Sequence, residues 1–96
     1  MSDIEFAWDT RKAAANHKKH SVSFEEALSV FYDEHARQIC DPDNSLIEPR
    51  FILIGMSSRL RVIVICHCFR ESDFVIRIMS ARKANARERQ SYEGNR

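Results

Sequence analysis

The feature that most restricts the fold is a series of three strand-like segments in the second half of the sequence. They span residues 50–56, 61–69 and 74–81, and short polar or glycine-containing segments separate them. Connections this short favour an antiparallel meander, because parallel strands need a long crossover. The middle segment is apolar at every position from 62 to 65, which indicates a strand covered on both faces. We expect the edges of the sheet at 50–56, at 74–81 or at an N-terminal strand over residues 4–8.

Two helices are predicted before these strands. Residues 10–20 are rich in Ala, Lys and Arg, lack Gly and Pro, and follow a potential N-cap at Asp9. Ser23 and Glu26 have the spacing of a capping box, and apolar residues then recur at helical intervals. The second helix is therefore predicted to begin at Phe24 and to end near residue 33.

A third helix is predicted after Asn85, which forms another capping box with Glu88. Residues 33–49 are predicted to be a loop, because they include two prolines and little periodicity. The predicted fold class is α+β, with a small antiparallel β-sheet, two N-terminal helices and one C-terminal helix. With only 96 residues, the chain is expected to form a single domain over 1–96.

Charge is distributed unevenly along the chain, although the formal net charge is only +1. Residues 1–48 hold five Lys/Arg and ten Asp/Glu, whereas residues 49–96 hold ten Lys/Arg and four Asp/Glu. A polyanion would therefore bind the second half. The alternative is that the two halves neutralise each other across the fold, and charge alone does not separate the two.

Cysteine usage and the lack of a secretory signal predict a reduced, cytoplasmic protein with no membrane segment. In a strand, the thiols of Cys66 and Cys68 share one face and His67 points to the other, so the triplet is a poor metal site. The chain also lacks a second pair of ligands, so we expect no metal and no cofactor. Two glycines cannot form a phosphate-binding loop or a dinucleotide fingerprint.

Cationic and imidazole groups near the ends of the predicted strands are candidates for phosphate chemistry: His67, Arg70, Arg77, Arg82 and Lys83. Metal-free RNA cleavage needs a base, an acid and fixed positive charge around the phosphorus. An arginine at a strand end, taken on its own, is usually solvated or paired with a local acid. Only the five residues taken together favour a site for phosphate chemistry.

The first predicted helix places further polar groups on one face, at helical spacing: Lys12, Asn16, Lys19 and His20. This face is either a solvated surface or a nucleic-acid-binding surface.

Three groups of residues, taken together, resemble a known family. The first contains Phe6, Trp8-Asp9, Lys12, Asn16, Lys19-His20, Val22 and Phe24-Glu25-Glu26-Ala27; the second is Glu48-x-Arg50; the third contains residues 77–84, Arg87-Glu88-Arg89 and Tyr92-Glu93. At these separations they resemble BrnT-type toxins across nearly the whole chain. Ser21 departs from the pattern, because the family commonly has glycine there, and a left-handed backbone would cost serine more than glycine.

The resemblance implies the toxin of a type II toxin–antitoxin pair, a ribonuclease with a RelE-like fold that inhibits translation and growth. It also implies a cognate ribbon-helix-helix antitoxin (BrnA-type), which forms a hetero-oligomer with the toxin and through which the complex binds operator DNA. The sequence-based hypothesis is therefore a metal-independent endoribonuclease with RNA as its substrate. The alternative is a non-catalytic nucleic-acid-binding or co-repressor subunit.

Specific roles follow from this hypothesis. His67 is the predicted general acid or base, with Glu48 as the alternative base. Predicted phosphate ligands are Arg70, Arg77 and Arg82, with assistance from Lys83 and Tyr92. Predicted RNA-binding residues are Lys12, Asn16, Lys19, His20 and Arg87.

Overall fold

The computed structural model describes residues 4–40, 49–70 and 74–94. In these residues the helices are α1 (Thr10–His20), α2 (Phe24–Val30) and α3 (Ala86–Gly94), and the strands are β1 (Glu5–Ala7), β2 (Arg37–Cys40), β3 (Phe51–Met56), β4 (Val62–Arg70) and β5 (Val75–Lys83). The predicted α+β class is confirmed. Across these three ranges, no helix has the length and apolar character needed to span a bilayer.

The described strands form one sheet in the order β1-β5-β4-β3-β2. The pairs from β2 to β5 are antiparallel, as the meander prediction required, whereas β1 lies parallel to β5. An N-terminal edge strand is confirmed. The other suggested edges, at 50–56 and 74–81, were wrong because β2 and β1 cover them.

Strand β2 contradicts the predicted loop over 33–49 at residues 37–40. All four of its residues are exposed, so it has no buried stripe that would mark it in the sequence. The strand is defined by its backbone pairing with β3, which runs from Arg37 opposite Ile54 to Cys40 opposite Phe51. Residues 41–48 of the predicted loop lie outside the described residues.

The sheet has two faces, which we name by the helices that cover them. On the helix-pair face, α1 and α2 enclose the larger core cluster: Val22, Phe24, Ala27, Val30, Leu53, Ile63, Ile65, Ile78 and Ala81. On the α3 face, a smaller cluster lies beneath the last helix: Ile54, Val62, Val64, Ala84 and Tyr92. Only part of the α3 face is therefore occupied by core packing.

The start of α2 confirms half of its predicted capping box. The Ser23 hydroxyl accepts a hydrogen bond from the Glu26 backbone N–H at 3.0 Å. The Glu26 carboxylate does not return to Ser23; it is buried and accepts hydrogen bonds from Ser57 Oγ at 2.7 Å and from the Arg61 guanidinium. A tertiary partner has replaced the local one, because only a cation can compensate the burial of this carboxylate.

Ser21 follows α1 and has a left-handed backbone, with φ 59° and ψ 30°. This is the conformation that the glycine common in the resembled family would favour at this position. We expect Ser21→Gly to raise the free energy of unfolding by about 0.5–1 kcal/mol, because glycine adopts this conformation without steric cost. Urea denaturation followed by circular dichroism measures the change. Ser58→Gly is the matched control: its φ is not positive, so glycine there gains nothing and increases unfolded-state entropy. Equal effects of the two changes would contradict the prediction.

Candidate functional site

Three of the predicted phosphate ligands lie on the α3 face. Arg82 is in register with Val64, and Arg77 is in register with Cys68. Strand alternation from Val64 places Arg70 on the same face of β4. The sheet therefore places Arg70, Arg77 and Arg82 on one face, spread along the paired strands from Arg82 opposite Val64 to Arg70 opposite Val75.

A fourth arginine joins this group from β2. Arg37 is in register with Ile54 and donates a hydrogen bond to Ser91 Oγ of α3 at 2.8 Å. Sequence reasoning missed Arg37 because it placed this segment in a loop. The sequence carries no local signal for this strand, because all four of its residues are exposed. We call Arg37, Arg70, Arg77 and Arg82 the arginine face.

Arg82 is held by the start of α3. Its guanidinium donates two hydrogen bonds to the Glu88 carboxylate, both at 2.8 Å. Glu88 also accepts from the Asn85 N–H at 2.9 Å, and Asn85 Oδ1 accepts from the Glu88 N–H at 2.8 Å, so the predicted capping box is complete. The hydrogen bonds from Arg82 lower the pKa of Glu88, and the same contact raises the pKa of Arg82. Glu88 thus orients Arg82 and offsets much of its charge, a role that the sequence analysis did not find.

Arg77 differs from Arg82 in having no side-chain hydrogen bond or ion pair within the described ranges. Its side chain is half-buried in the middle of β5, and Ser80 on the same face is exposed. A guanidinium without a carboxylate partner retains its full charge and all its N–H donors. Arg77 is therefore the residue of the arginine face best suited to bind a phosphate.

His67 lies on the opposite face and has no exposed surface. Phe31, Phe51 and Phe69 surround the imidazole, with ring centroids 5.0, 6.0 and 5.5 Å away. Its Nε2 is 3.2 Å from Gln38 Oε1 in β2. Burial lowers the pKa of His67 to about 4, against a smaller opposing contribution from the Ile65 backbone. The sheet separates His67 from the arginine face, so the structure does not support a direct role as acid or base.

Two further predicted catalytic residues are not exposed on the arginine face: Tyr92 lies on the same side of the sheet but beneath α3, and Lys83 lies on the other side. Tyr92 is buried, and its hydroxyl donates to Asp33 Oδ2 at 2.7 Å, an atom that also accepts from the Met56 N–H. Tyr92 thereby attaches α3 to the sheet. Lys83 is exposed, but its register with Ile63 places it on the helix-pair face. Glu48 lies outside the described residues.

The predicted RNA-binding face of α1 is in part a packing face. Asn16 is buried; its amide donates to Val22 O at 2.9 Å and Ala81 O at 2.8 Å, and its Oδ1 accepts from Ala81 N–H at 3.0 Å. Both amide hydrogens are used, so the RNA-binding role predicted for Asn16 is replaced by a structural one. Lys12 and Lys19 are exposed and His20 is half-buried, all on the helix-pair side.

Arg87, the last of the predicted RNA-binding residues, is exposed on α3. It extends the positive charge of the arginine face along the outer side of that helix. Among the described residues, no three His, Cys, Asp or Glu side chains are grouped to hold a metal ion. Cys40 is exposed, Cys66 is half-buried and Cys68 is buried.

Comparisons with known proteins agree with this architecture. A family model described as "Ribonuclease toxin, BrnT, of type II toxin-antitoxin system" matches residues 8–88. The crystal structure of the Brucella abortus ribonuclease toxin BrnT is similar, with a TM-score of 0.59 and 22% sequence identity over 85% of this chain and 97% of that chain. At this identity the likeness concerns the fold. No curated protein sequence matches significantly.

Proposed function

Because the chain belongs to the BrnT ribonuclease toxin family of type II toxin–antitoxin systems, we propose that it cleaves RNA without a metal ion and so inhibits translation and growth. The family description supports ribonuclease activity. The observation that supports the metal-independent form is the arginine face, where Arg70, Arg77 and Arg82 lie on one face of the sheet and Arg77 keeps its full charge. Fixed guanidinium charge is what a metal-free phosphoryl transfer needs around its phosphorus.

In the proposed reaction, the ribose 2′-oxygen attacks the adjacent phosphorus as its proton passes to a base. The P–O2′ bond forms, the P–O5′ bond breaks, and the departing 5′-oxygen takes a proton from an acid. The products are a 2′,3′-cyclic phosphate and a 5′-hydroxyl. Arg77 binds the non-bridging oxygens, whose negative charge grows in the transition state.

Of the two bases that the sequence suggested, His67 is enclosed in the core. We therefore retain Glu48, which precedes Arg50 and β3 in the sequence, as the proposed base. Its substitution Glu48→Gln removes the proton acceptor and keeps the shape of the side chain. Cleavage at the wild-type rate in Glu48→Gln would remove this residue from the mechanism.

Metal independence is tested with purified toxin and a labelled RNA in excess EDTA. We expect the rate to stay within about twofold of that in magnesium, because arginines supply the positive charge. The 3′ ends should be cyclic phosphates. Arg77→Ala prepared in parallel controls for contaminating nucleases. Activity that disappears in EDTA and returns with magnesium would contradict the proposal, and RNA binding with no new ends would favour a non-catalytic subunit.

The family implies an antitoxin partner. We propose that this partner is a ribbon-helix-helix protein of the BrnA type, that it neutralises the toxin in a hetero-oligomer, and that it supplies the contacts with operator DNA. The arginine face supports this proposal, because acidic residues of an inhibitor would compete there with RNA phosphates.

A further inference from the structure

An apolar patch surrounds the edge strand β1. Exposed Ile4 and Tyr32 line a cavity of about 340 Å³ together with Phe6, Phe31 and Ile76. Exposed Phe74 lies next to β1, because its carbonyl accepts a hydrogen bond from the Glu5 N–H at 3.0 Å. We call Ile4, Phe6, Phe31, Tyr32, Phe74 and Ile76 the β1 patch.

The clustering of these side chains distinguishes them from ordinary exposed apolar residues. Across the described ranges, five large apolar side chains are exposed, and three of them belong to the β1 patch: Ile4, Tyr32 and Phe74. Isolated exposed apolar residues are normal, whereas a contiguous group around a concave surface marks a contact site. Tyr32, with 74% of its surface exposed, is the most accessible of the three.

The β1 patch and the arginine face lie on opposite faces of the sheet, on either side of its β1 edge. Phe6 pairs with Ile76, and Ala7 pairs with Arg77. Consecutive β5 residues point to opposite faces, so Ile76 contributes to the patch and Arg77 to the arginine face. Among the described residues, the three-residue strand β1 forms this edge of the sheet next to β5. An extended chain that crosses this edge therefore reaches both surfaces.

We propose that the β1 patch binds an extended antitoxin segment whose apolar side chains fill the cavity and whose Asp or Glu side chains bind Arg77. This inference rests on the proposed function, which supplies the antitoxin. A protein segment fits because it combines apolar and anionic groups at short spacing. RNA also offers phosphates for Arg77, but the five residues that line the cavity include no cation that would hold a second phosphate.

The test uses full-length toxin with the double substitution Ile4→Asp/Tyr32→Asp and its cognate antitoxin. Both side chains are exposed, so the fold should be retained, and thermal unfolding verifies this. We expect affinity for the antitoxin to fall by at least about 30-fold, as for the loss of a central apolar anchor. RNA cleavage by the free toxin should stay within twofold. Leu60→Asp, at a side chain 82% exposed in the β3–β4 turn, is the matched control and should leave both unchanged.

Unchanged antitoxin affinity, or an equal loss in Leu60→Asp, would overturn the proposal. If the double variant fails to fold, Tyr32→Ser replaces it with the same expected direction. Lost RNA cleavage at unchanged affinity would identify RNA as the occupant, and loss of a concentration-dependent toxin dimer at unchanged affinity would identify a second copy. If the wild-type toxin cuts no RNA but affinity falls as expected, the nuclease function fails and the antitoxin surface stands.

Discussion

Replacing Arg77 with alanine is expected to slow RNA cleavage by at least about 100-fold. The free energy of unfolding should change by less than about 0.5 kcal/mol, as is usual for a side chain outside any structural network. Arg77 has no protein hydrogen bond or ion pair among the described residues. Its removal therefore deprives no described residue of a hydrogen bond or of an ion-pair partner. The rate is measured under single-turnover conditions with a labelled RNA, and stability by urea denaturation of the same preparation.

Arg59→Ala provides the matched control, because it removes the same charge at an exposed position in the β3–β4 turn. It should keep the wild-type cleavage rate. Arg77→Lys adds a further distinction, since lysine retains the charge but loses the planar, two-pronged donor geometry. We expect Arg77→Lys to fall between alanine and wild type. Wild-type cleavage by Arg77→Ala would remove the arginine face from the mechanism.

Arg82 is a less selective target for the same experiment. Its bidentate contact with Glu88 links β5 to the first turn of α3, so Arg82→Ala also removes a structural contact. A loss of activity in that variant has two explanations. Comparing the two variants separates phosphate binding at Arg77 from helix positioning at Arg82.

The elements predicted correctly are those whose signals are local. The β3–β5 meander follows from apolar runs with short connections, and α3 follows from the Asn85–Glu88 capping box, which the structure contains in full. Strand β2 has no such signal, because each of its side chains is exposed and only pairing with β3 defines it. Arg37 was missed for the same reason.

Site prediction failed where burial decides the role of a residue. The sequence grouped Arg70, Arg77 and Arg82 only by their positions near strand ends. A register shift between β4 and β5 at Cys66/His67 then places Arg77 and Arg82, five residues apart, on the same face. Sequence spacing cannot show that Asn16 faces the carbonyl of Ala81 or that three phenylalanines enclose His67. Such contacts join residues from distant parts of the chain, and they convert chemically reactive side chains into structural ones.

The enclosure of His67 makes stability depend on pH. The folded protein holds its imidazole neutral, and burial lowers its pKa to about 4. Its Nδ1 has no hydrogen-bonding partner among the described residues, so the interior offers little to stabilise a protonated ring. In the unfolded chain the ring titrates near 6.5 and binds a proton more readily. Between these values the unfolded state therefore takes up more protons than the folded state.

Wild-type toxin is accordingly expected to lose about 2 kcal/mol of its unfolding free energy between pH 7.5 and 5, because each pKa unit contributes about 1.4 kcal/mol. Urea denaturation at half-unit intervals measures this profile. Glu26, Asp33 and Glu88 have lowered pKa values in the folded state, so they contribute stability that is lost mainly as the pH falls below their unfolded values of 4.5 and 3.8. The range from pH 7 to 5 therefore isolates the imidazole.

His67→Phe keeps a planar ring among the three phenylalanines and removes the titrating group. Its stability should be nearly independent of pH from 7 to 5, even if the change of ring alters the absolute value. His17→Gln, at an exposed histidine of α1, is the matched control and should keep the wild-type profile. A flat wild-type profile would mean that the ring is open to solvent, in which case the role of His67 as acid or base in RNA cleavage would have to be reconsidered.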